Sequence, residues 1–287
     1  MKKPFLKINK FVRLIYNFIF IHRFPKFMRL SSYPYLTGDT LRKLSDHIYD
    51  ETKAFNPDNV AANELVFVKS DMLNEYFNSL HKKINSRYRL LTHNSDENID
   101  GKHISFKDNK ILVWYAQNLL ISESEFIKPI PIGLENRRYL NNGLLNHFKF
   151  KKNIIKNNYI LCSFDDKNID RTKVKEIAKN KNLIEIRAFS NHRKYVKELS
   201  SYRFNICPPG NGIDTHRIWE SLMVKTIPIV KKNEFTTNLV NNGVPLLELE
   251  SWNNLLSYDI EHLEKIYLKL SSKFDMQKIT KVSYWLN

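Results

Sequence analysis

Short apolar runs recur along the chain, each followed by a polar or glycine-bearing segment. In the first half they are Glu64 to Lys69 (with Leu65-Val66-Phe67-Val68), Tyr88 to Thr92, Ile111 to Tyr115 and Ile127 to Ile132. In the second half they are Tyr159 to Phe164, Leu183 to Ala188, a run ending at Cys207, Ile227 to Val230 and Val244 to Leu249. Continuous runs of this length read as strands covered on both faces, and the gaps between them leave room for helical crossovers. Helical spacing and capping predict helices from about Thr40 to Glu51, over Met72 to Ile84, from about Asp214 and over Asp259 to Leu270. Such alternation predicts α/β layers with mostly parallel sheets, arranged as two Rossmann-like lobes with a cleft between them. The Asn- and Lys-rich stretch 141–157 is the expected joint, giving lobes of 31–150 and 151–270 and a terminal piece 271–287.

The first thirty residues stand apart. Phe5, Ile8, Phe11, Val12, Ile15, Phe18 and Ile19 recur at helical spacing against Lys7, Lys10, Arg13 and Asn17, the pattern of a basic amphipathic helix lying in a membrane interface. The apolar part, Leu14 to Ile21, is well short of the roughly 20 residues a span requires. A plain packed helix is the bland alternative; a signal peptide lacks a small-residue cleavage site.

Charge sharpens this. The chain of 287 residues carries a formal charge of +16, which raises nucleic acid, anionic membrane and phosphorylated substrates as partners. Residues 1 to 30 hold eight Lys or Arg and no Asp or Glu, so about half of the excess lies in the amphipathic segment. A nucleic-acid surface needs basic residues interleaved with aromatics over an exposed face, and the distribution does not favour one. With 42% hydrophobic residues the chain is globular. Cys162 and Cys207 end apolar runs and read as buried thiols in a reducing compartment. No Cys or His cluster has metal-ligand spacing, so no metal site is expected.

The most informative stretch is 202–233. A strand ending at Cys207 leads through Pro208-Pro209-Gly210-Asn211-Gly212 into a helix starting near Asp214. A glycine-bearing turn lets backbone N–H groups approach an anion, and the helix directs its positive end to the same place. Asp214 or Thr215 can cap the helix. His216, Arg217 and Glu220 can share one face. Cations at a helix N-terminus oppose its dipole, which makes more sense if an anion is also bound. An ordinary βαβ crossover with solvated polar residues is the plainer alternative.

The pattern Phe204, Pro208, Gly210, Asn211, Gly212, Asp214, Thr215, His216, Arg217, Trp219, Glu220, then Ile227-Pro228-Ile229-Val230, resembles the donor-binding segment of exostosin-like glycosyltransferases, which have the GT-B architecture. The resemblance implies that Arg217 meets the diphosphate and Glu220 the nucleotide ribose, with Pro209, Gly210, Asn211, Gly212, Asp214, Thr215 and His216 around them. It also implies that the first strand of the second lobe ends beside the donor, bringing Ser163, Lys167 and Arg171 to the diphosphate, and that a C-terminal helix ending Tyr284-Trp285-Leu286 crosses back to the first lobe. Val224-Lys225-Thr226 stands where such families often carry a glycine.

In the first lobe, polar clusters follow successive strands: Thr92-His93-Asn94-Ser95-Asp96, Ala116-Gln117-Asn118 and Gly133-Leu134-Glu135-Asn136-Arg137-Arg138. Ligands of open α/β sheets bind at that edge. Asn94, Gln117, Asn118, Glu135 and Arg137 are therefore acceptor-side candidates. Asp39 and Arg42, in a Gly-Asp-Thr-x-Arg segment similar to the opening of bacterial polysaccharide and galactofuranosyl transferases, join them, and Arg137 or Arg138 can meet phosphate from the opposite lobe. A base must take the acceptor proton, and His93 and Asp96 are the candidates; local turn hydrogen bonds are the alternative for both.

The expectation is a glycosyltransferase of hexosyltransferase type. It would move a sugar from a nucleotide diphosphate, UDP- or GDP-linked, to a glycan or lipid-linked acceptor in bacterial surface polysaccharide synthesis (lipopolysaccharide or capsule). No metal or further cofactor is expected, and the place is the inner face of the cytoplasmic membrane. A non-catalytic nucleotide-sugar-binding module is the competing class.

Overall fold

The computed structural model describes residues 12, 15, 29–52, 55–149, 155–166, 168–273 and 275–286. Most of the basic segment 1–30, Lys167 and residues 150–154 of the joint lie outside them, and with them the expected interfacial helix.

Two parallel α/β sheets are present. The first holds β1 (His47–Tyr49), β2 (Leu65–Lys69), β3 (Tyr88–His93), β4 (Ile111–Ala116) and β5 (Ile127–Pro129), neighbours in that order, with α1 (Gly38–Leu44) preceding them. Leu65 to Val68 are all buried, as a strand covered on both faces requires. The winding of this sheet never reverses, unlike a doubly wound lobe.

Two elements differ from the sequence expectation. The helix expected to reach Glu51 stops at Leu44. Ser45 Oγ donates to Leu41 O at 2.9 Å, and Asp46 then accepts the Leu65 N–H at 2.8 Å, which pins the chain beside β2 as the edge strand β1. Residues 72–84 coil irregularly, through a helical turn at Leu73–Glu75, a π turn at Tyr76–Leu80 and a 3-10 turn at His81–Lys83. Tyr76, Phe77 and His81 all turn inward there, with Tyr76 Oη 2.8 Å and His81 Nδ1 2.7 Å from Tyr88 Oη.

The second sheet holds β6 (Asn158–Cys162), β7 (Ile184–Ile186), β8 (Tyr202–Ile206), β9 (Ile227–Lys231) and β10 (Leu247–Leu249), in the spatial order β10-β9-β8-β6-β7. Its helices are α2 (Ile169–Lys179), α3 (His192–Leu199), α4 (His216–Met223), α5 (Glu234–Asn241), α6 (Ile260–Lys273) and α7 (Met276–Ile279). The chain steps from β6 outward to β7, then returns to the other side of β6 for β8. That reversal opens a crevice at the carboxyl ends of β6 and β8, where doubly wound sheets bind ligands.

The lobes share one core. Leu36, Leu41, Leu91, Tyr115, Ile130 and Leu134 of the first belong to the same apolar cluster as Trp219, Leu239, Ile279 and Trp285 of the second. Asn238 on α5 donates to Ile121 O at 2.8 Å and accepts Glu123 N–H at 3.1 Å. Past α7, Leu36 N–H donates to Thr280 O at 2.9 Å and Val282 N–H to Pro34 O at 3.0 Å. No described helix is long and apolar enough to cross a membrane.

Candidate active site

A cleft of about 780 Å³ occupies the crevice at the reversal. Ser163 and Phe164 follow β6, Gly210 to Gly212 follow β8, and the first turns of α2, α3 and α4 close the wall. Two arginines cross beneath it. Arg171, on the helix after β6, donates Nε–H to Pro209 O at 2.9 Å beyond β8; Arg217, on the helix after β8, donates Nε–H to Ser163 O at 3.1 Å beyond β6. Around the Phe164 ring stand Arg171 Cζ at 5.8 Å, Arg217 Cζ at 5.7 Å and Lys175 Nζ at 5.4 Å. These are cation–π distances that fix the cations laterally. Asp166 neutralises part of this charge through Lys175 at 2.7 Å. Burial and then the neighbouring Arg217 push the Arg171 guanidinium below its usual range, so the two cations repel each other. An anion between them removes that cost.

Glu220 also lines the cleft; it is buried and its Oε1 lies 2.9 Å from His192 Nε2. Burial alone would raise this carboxyl, but the His192 hydrogen bond and charge, with Arg217 and His216 behind it, hold it below the usual range. His192 Nδ1 in turn lies 2.9 Å from His147 Nδ1. Since one nitrogen of that pair must donate and the other accept, the Glu220–His192–His147 chain fixes the carboxylate against rotation.

The glycine turn is built for close approach of the lobes. Gly210 N–H donates to Gly212 O at 3.0 Å, so this amide serves the turn itself. A Cβ on Gly212 would sit 3.1 Å from Asn118 Nδ2 and 3.4 Å from Asp96 Oδ1 of the first lobe. Asn211 and Pro209 complete the turn, and Thr215 caps α4, accepting Arg217 N–H at 3.2 Å. Asp214 is a strut. Its Oδ2 accepts Ile132 N–H at 2.7 Å, its Oδ1 accepts Trp219 Nε1–H at 2.9 Å, and its own N–H donates to Asn118 Oδ1 at 3.1 Å. His216 donates Nδ1–H to Gly133 O at 2.7 Å. Gly133 has φ +67°, and a Cβ there would meet Leu36 O at 2.1 Å.

Asp214 gives stability a pH dependence. Burial pushes its carboxyl from 3.8 up to about 7. Between those values the folded protein holds a proton that the unfolded chain has released, so stability falls as pH rises through the window and the contribution is level outside it. Asp214→Asn has no such proton. Raising pH from 4 to 7.5 is expected to cost the wild type up to about 4 kcal/mol more than the variant in denaturant melts; parallel profiles would refute this.

A second pocket of about 210 Å³ joins the first at Asp96, Ile132 and His216. Asp96 is exposed at this junction, opposite the glycine turn. His93 is beside it but not available as a base. It is 1% exposed, Nε2–H donates to Pro131 O at 3.0 Å, and Nδ1 accepts Asn94 N–H at 2.8 Å. Burial pushes its imidazole down to about 4, so it is neutral and structural. Gln117 braces the same loop, accepting Asn94 N–H at 2.9 Å and donating to Ser95 O at 3.0 Å; Asn118 donates to Glu97 O at 3.2 Å. Of the other acceptor-side candidates, Glu135 holds Asn142 N–H at 2.8 Å and Arg137 donates to Ser31 O at 3.2 Å. Asp39 and Arg42 lie in a buried charge cluster with Arg29, Asp50, Glu51 and Arg138, where Arg42 Nε is 2.6 Å from Asp50 Oδ2. None of these four lines either cleft, whereas Arg138 does.

Phe164, Lys175, His192 and Arg138 are site residues that the sequence motif does not carry. Lys175 has a faint signal, one helical turn after Arg171, and Arg138 stands in the polar cluster already named for phosphate; Phe164 and His192 meet the site only through tertiary structure. Burial raises both cysteine thiols to about 12, so neither is a nucleophile near neutral pH. Among the described residues no group of three His, Cys, Asp or Glu side chains could hold a metal ion.

The chain matches no family model and no curated protein. Among solved structures, one described as the crystal structure of GtfA/B complex is similar at 10% identity and a TM-score of 0.42, over 78% of this chain and 56% of that chain. This chain thus spans little more than half the length of that structural neighbour.

Proposed function

We propose that the protein is a glycosyltransferase that moves a sugar from a nucleoside diphosphate, UDP or GDP, to a glycan or lipid-linked glycan hydroxyl. The observation that carries this reading is the crossed pair Arg171 and Arg217, with Lys175, around Phe164 at the sheet's reversal point. Three cations from two helices, Arg171 and Lys175 on α2 and Arg217 on α4, suit a diphosphate, and Glu220, fixed by His192, suits the ribose hydroxyls.

In the reaction, the acceptor hydroxyl enters from the smaller pocket and attacks the anomeric carbon. Asp96, at the junction, takes its proton as the bond from the anomeric carbon to the diphosphate oxygen breaks. The charge gained by the leaving nucleoside diphosphate falls on Arg171, Lys175 and Arg217, already in place before the reaction. Residues 1–30 would hold the enzyme on the anionic inner face of the cytoplasmic membrane, beside a lipid-linked acceptor in surface polysaccharide synthesis.

Titration with UDP, GDP and their monophosphates, followed by transfer assays over a panel of labelled nucleotide sugars, tests the reading. A diphosphate bound at least about tenfold more tightly than its monophosphate, with turnover on some acceptor, is expected. Binding without turnover on any acceptor would make the protein a nucleotide-sugar-binding module, and no binding would sink the donor site.

A further inference from the structure

Two residues that line the smaller pocket, Arg138 and Asn94, carry buried donors with no acceptor at hydrogen-bond distance among the described residues. Arg138 is 5% exposed and lines this pocket. Its Nη2 donates to Tyr139 Oη at 3.1 Å, but Nε and Nη1 are buried without an acceptor. The nearest carboxylates stand off, Asp39 Oδ2 at 3.6 Å from Nε and Glu51 Oε1 at 3.9 Å from Nη1. These are ion-pair separations, too long for hydrogen bonds.

On the same pocket, Asn94 Nδ2 is also buried without an acceptor. Its orientation is fixed by a chain of bonds. Asn136 Oδ1 accepts Asp39 N–H at 2.7 Å, which obliges Asn136 Nδ2 to donate, and it does so to Asn94 Oδ1 at 3.2 Å. Asn94 is held in the left-handed region at φ 62°, packed over Gly38, where a Cβ would come within 1.7 Å of Asn94 Oδ1. The start of α1 and the Asn136 loop therefore specify where this amide sits. Orphaned buried donors are costly, more so on a charged group, and a ligand that brings oxygens relieves them.

We infer that this pocket holds an anionic sugar unit, whose carboxylate or phosphate oxygens accept from Arg138 and Asn94 while a hydroxyl of the same unit faces Asp96. The volume admits one monosaccharide ring, and the pocket shares Asp96, Ile132 and His216 with the donor cleft. That this unit is the acceptor rests on the transferase reading; that the pocket selects an anion does not.

The test is titration of the full chain, at fixed ionic strength and with or without UDP, with glucuronate, glucose 6-phosphate and glucose. At least one anionic sugar is expected to bind about tenfold or more tightly than glucose, and which one does so separates carboxylate from phosphate. Arg138→Gln should abolish that preference. Because Arg138 sits in a buried charge cluster, Asn94→Asp is the second variant: it keeps a short side chain suited to positive φ and places a like charge against the ligand. Loss of preference in folded Asn94→Asp supports the proposal. Equal binding of glucose and both anions, or an undiminished preference in folded Asn94→Asp, overturns it. UDP affinity on the same samples keeps the two readings apart, because anion selectivity without nucleotide binding would sink only the transferase, and the converse only this inference.

Discussion

Asp96→Asn is expected to lower sugar transfer by about 10²–10⁴-fold, the usual scale for a lost general base, while nucleotide affinity stays within a factor of about two. The expectation follows from place. Asp96 is exposed where the two pockets meet and lies against the glycine turn through its Oδ1, whereas the neighbouring His93 has both ring nitrogens occupied. Amide replacement preserves shape and removes only the capacity to take a proton. His93→Gln should therefore behave differently, costing stability rather than the chemical step. Transfer by Asp96→Asn at the wild-type rate would remove Asp96 from the reaction, and His216 at the same junction would be the next residue to vary.

Arg217→Met is expected to weaken nucleoside diphosphate binding by about 10- to 100-fold and monophosphate binding far less, because one charge-assisted contact on phosphate is lost. Met keeps an unbranched apolar chain but gives up both the cation–π contact with Phe164 and the bond to Ser163 O, and the melting profile reports those two losses. Arg217→Lys keeps the charge but not the planar fork and should fall between the two. Isothermal titration with UDP and UMP measures both. Equal losses for the two nucleotides would move Arg217 away from the terminal phosphate, and no loss would separate the motif from the cleft.

The layers and strands were legible because each buried strand is a local apolar run; Leu65 to Val68 and Ile227 to Val230 need no partner to be recognised. His47 to Tyr49 was not legible. Three residues show no period, and this edge strand exists because Asp46 fastens it to β2 after Ser45 has closed the end of α1. The one-way order of the first sheet was also hidden, since strand order is a tertiary property. At the site, Arg217 and Glu220 could be named because they lie within one helical turn of a recognisable loop. Their partners could not, because Phe164 and His192 come from other elements and are brought in by folding. Polar residues after the strands of the first lobe pointed to the right edge of the sheet. Gln117 and Asn118 at that edge fasten loops to one another, which sequence position alone does not distinguish from contact with substrate.

Pro34 and Leu36 are hydrogen-bonded to the chain at Val282 and Thr280, and Leu36 also receives the Leu134 N–H at 2.9 Å. Most of the polypeptide must be synthesised before that seam can close. Until then Leu36, Leu41 and Leu134 lack the second half of their shared core, so the early product is a lobe with an apolar flank uncovered. Loop-closure entropy over so long a separation makes this seam a late event in folding, and the two lobes are best regarded as one cooperative unit whose last stitch is the tail.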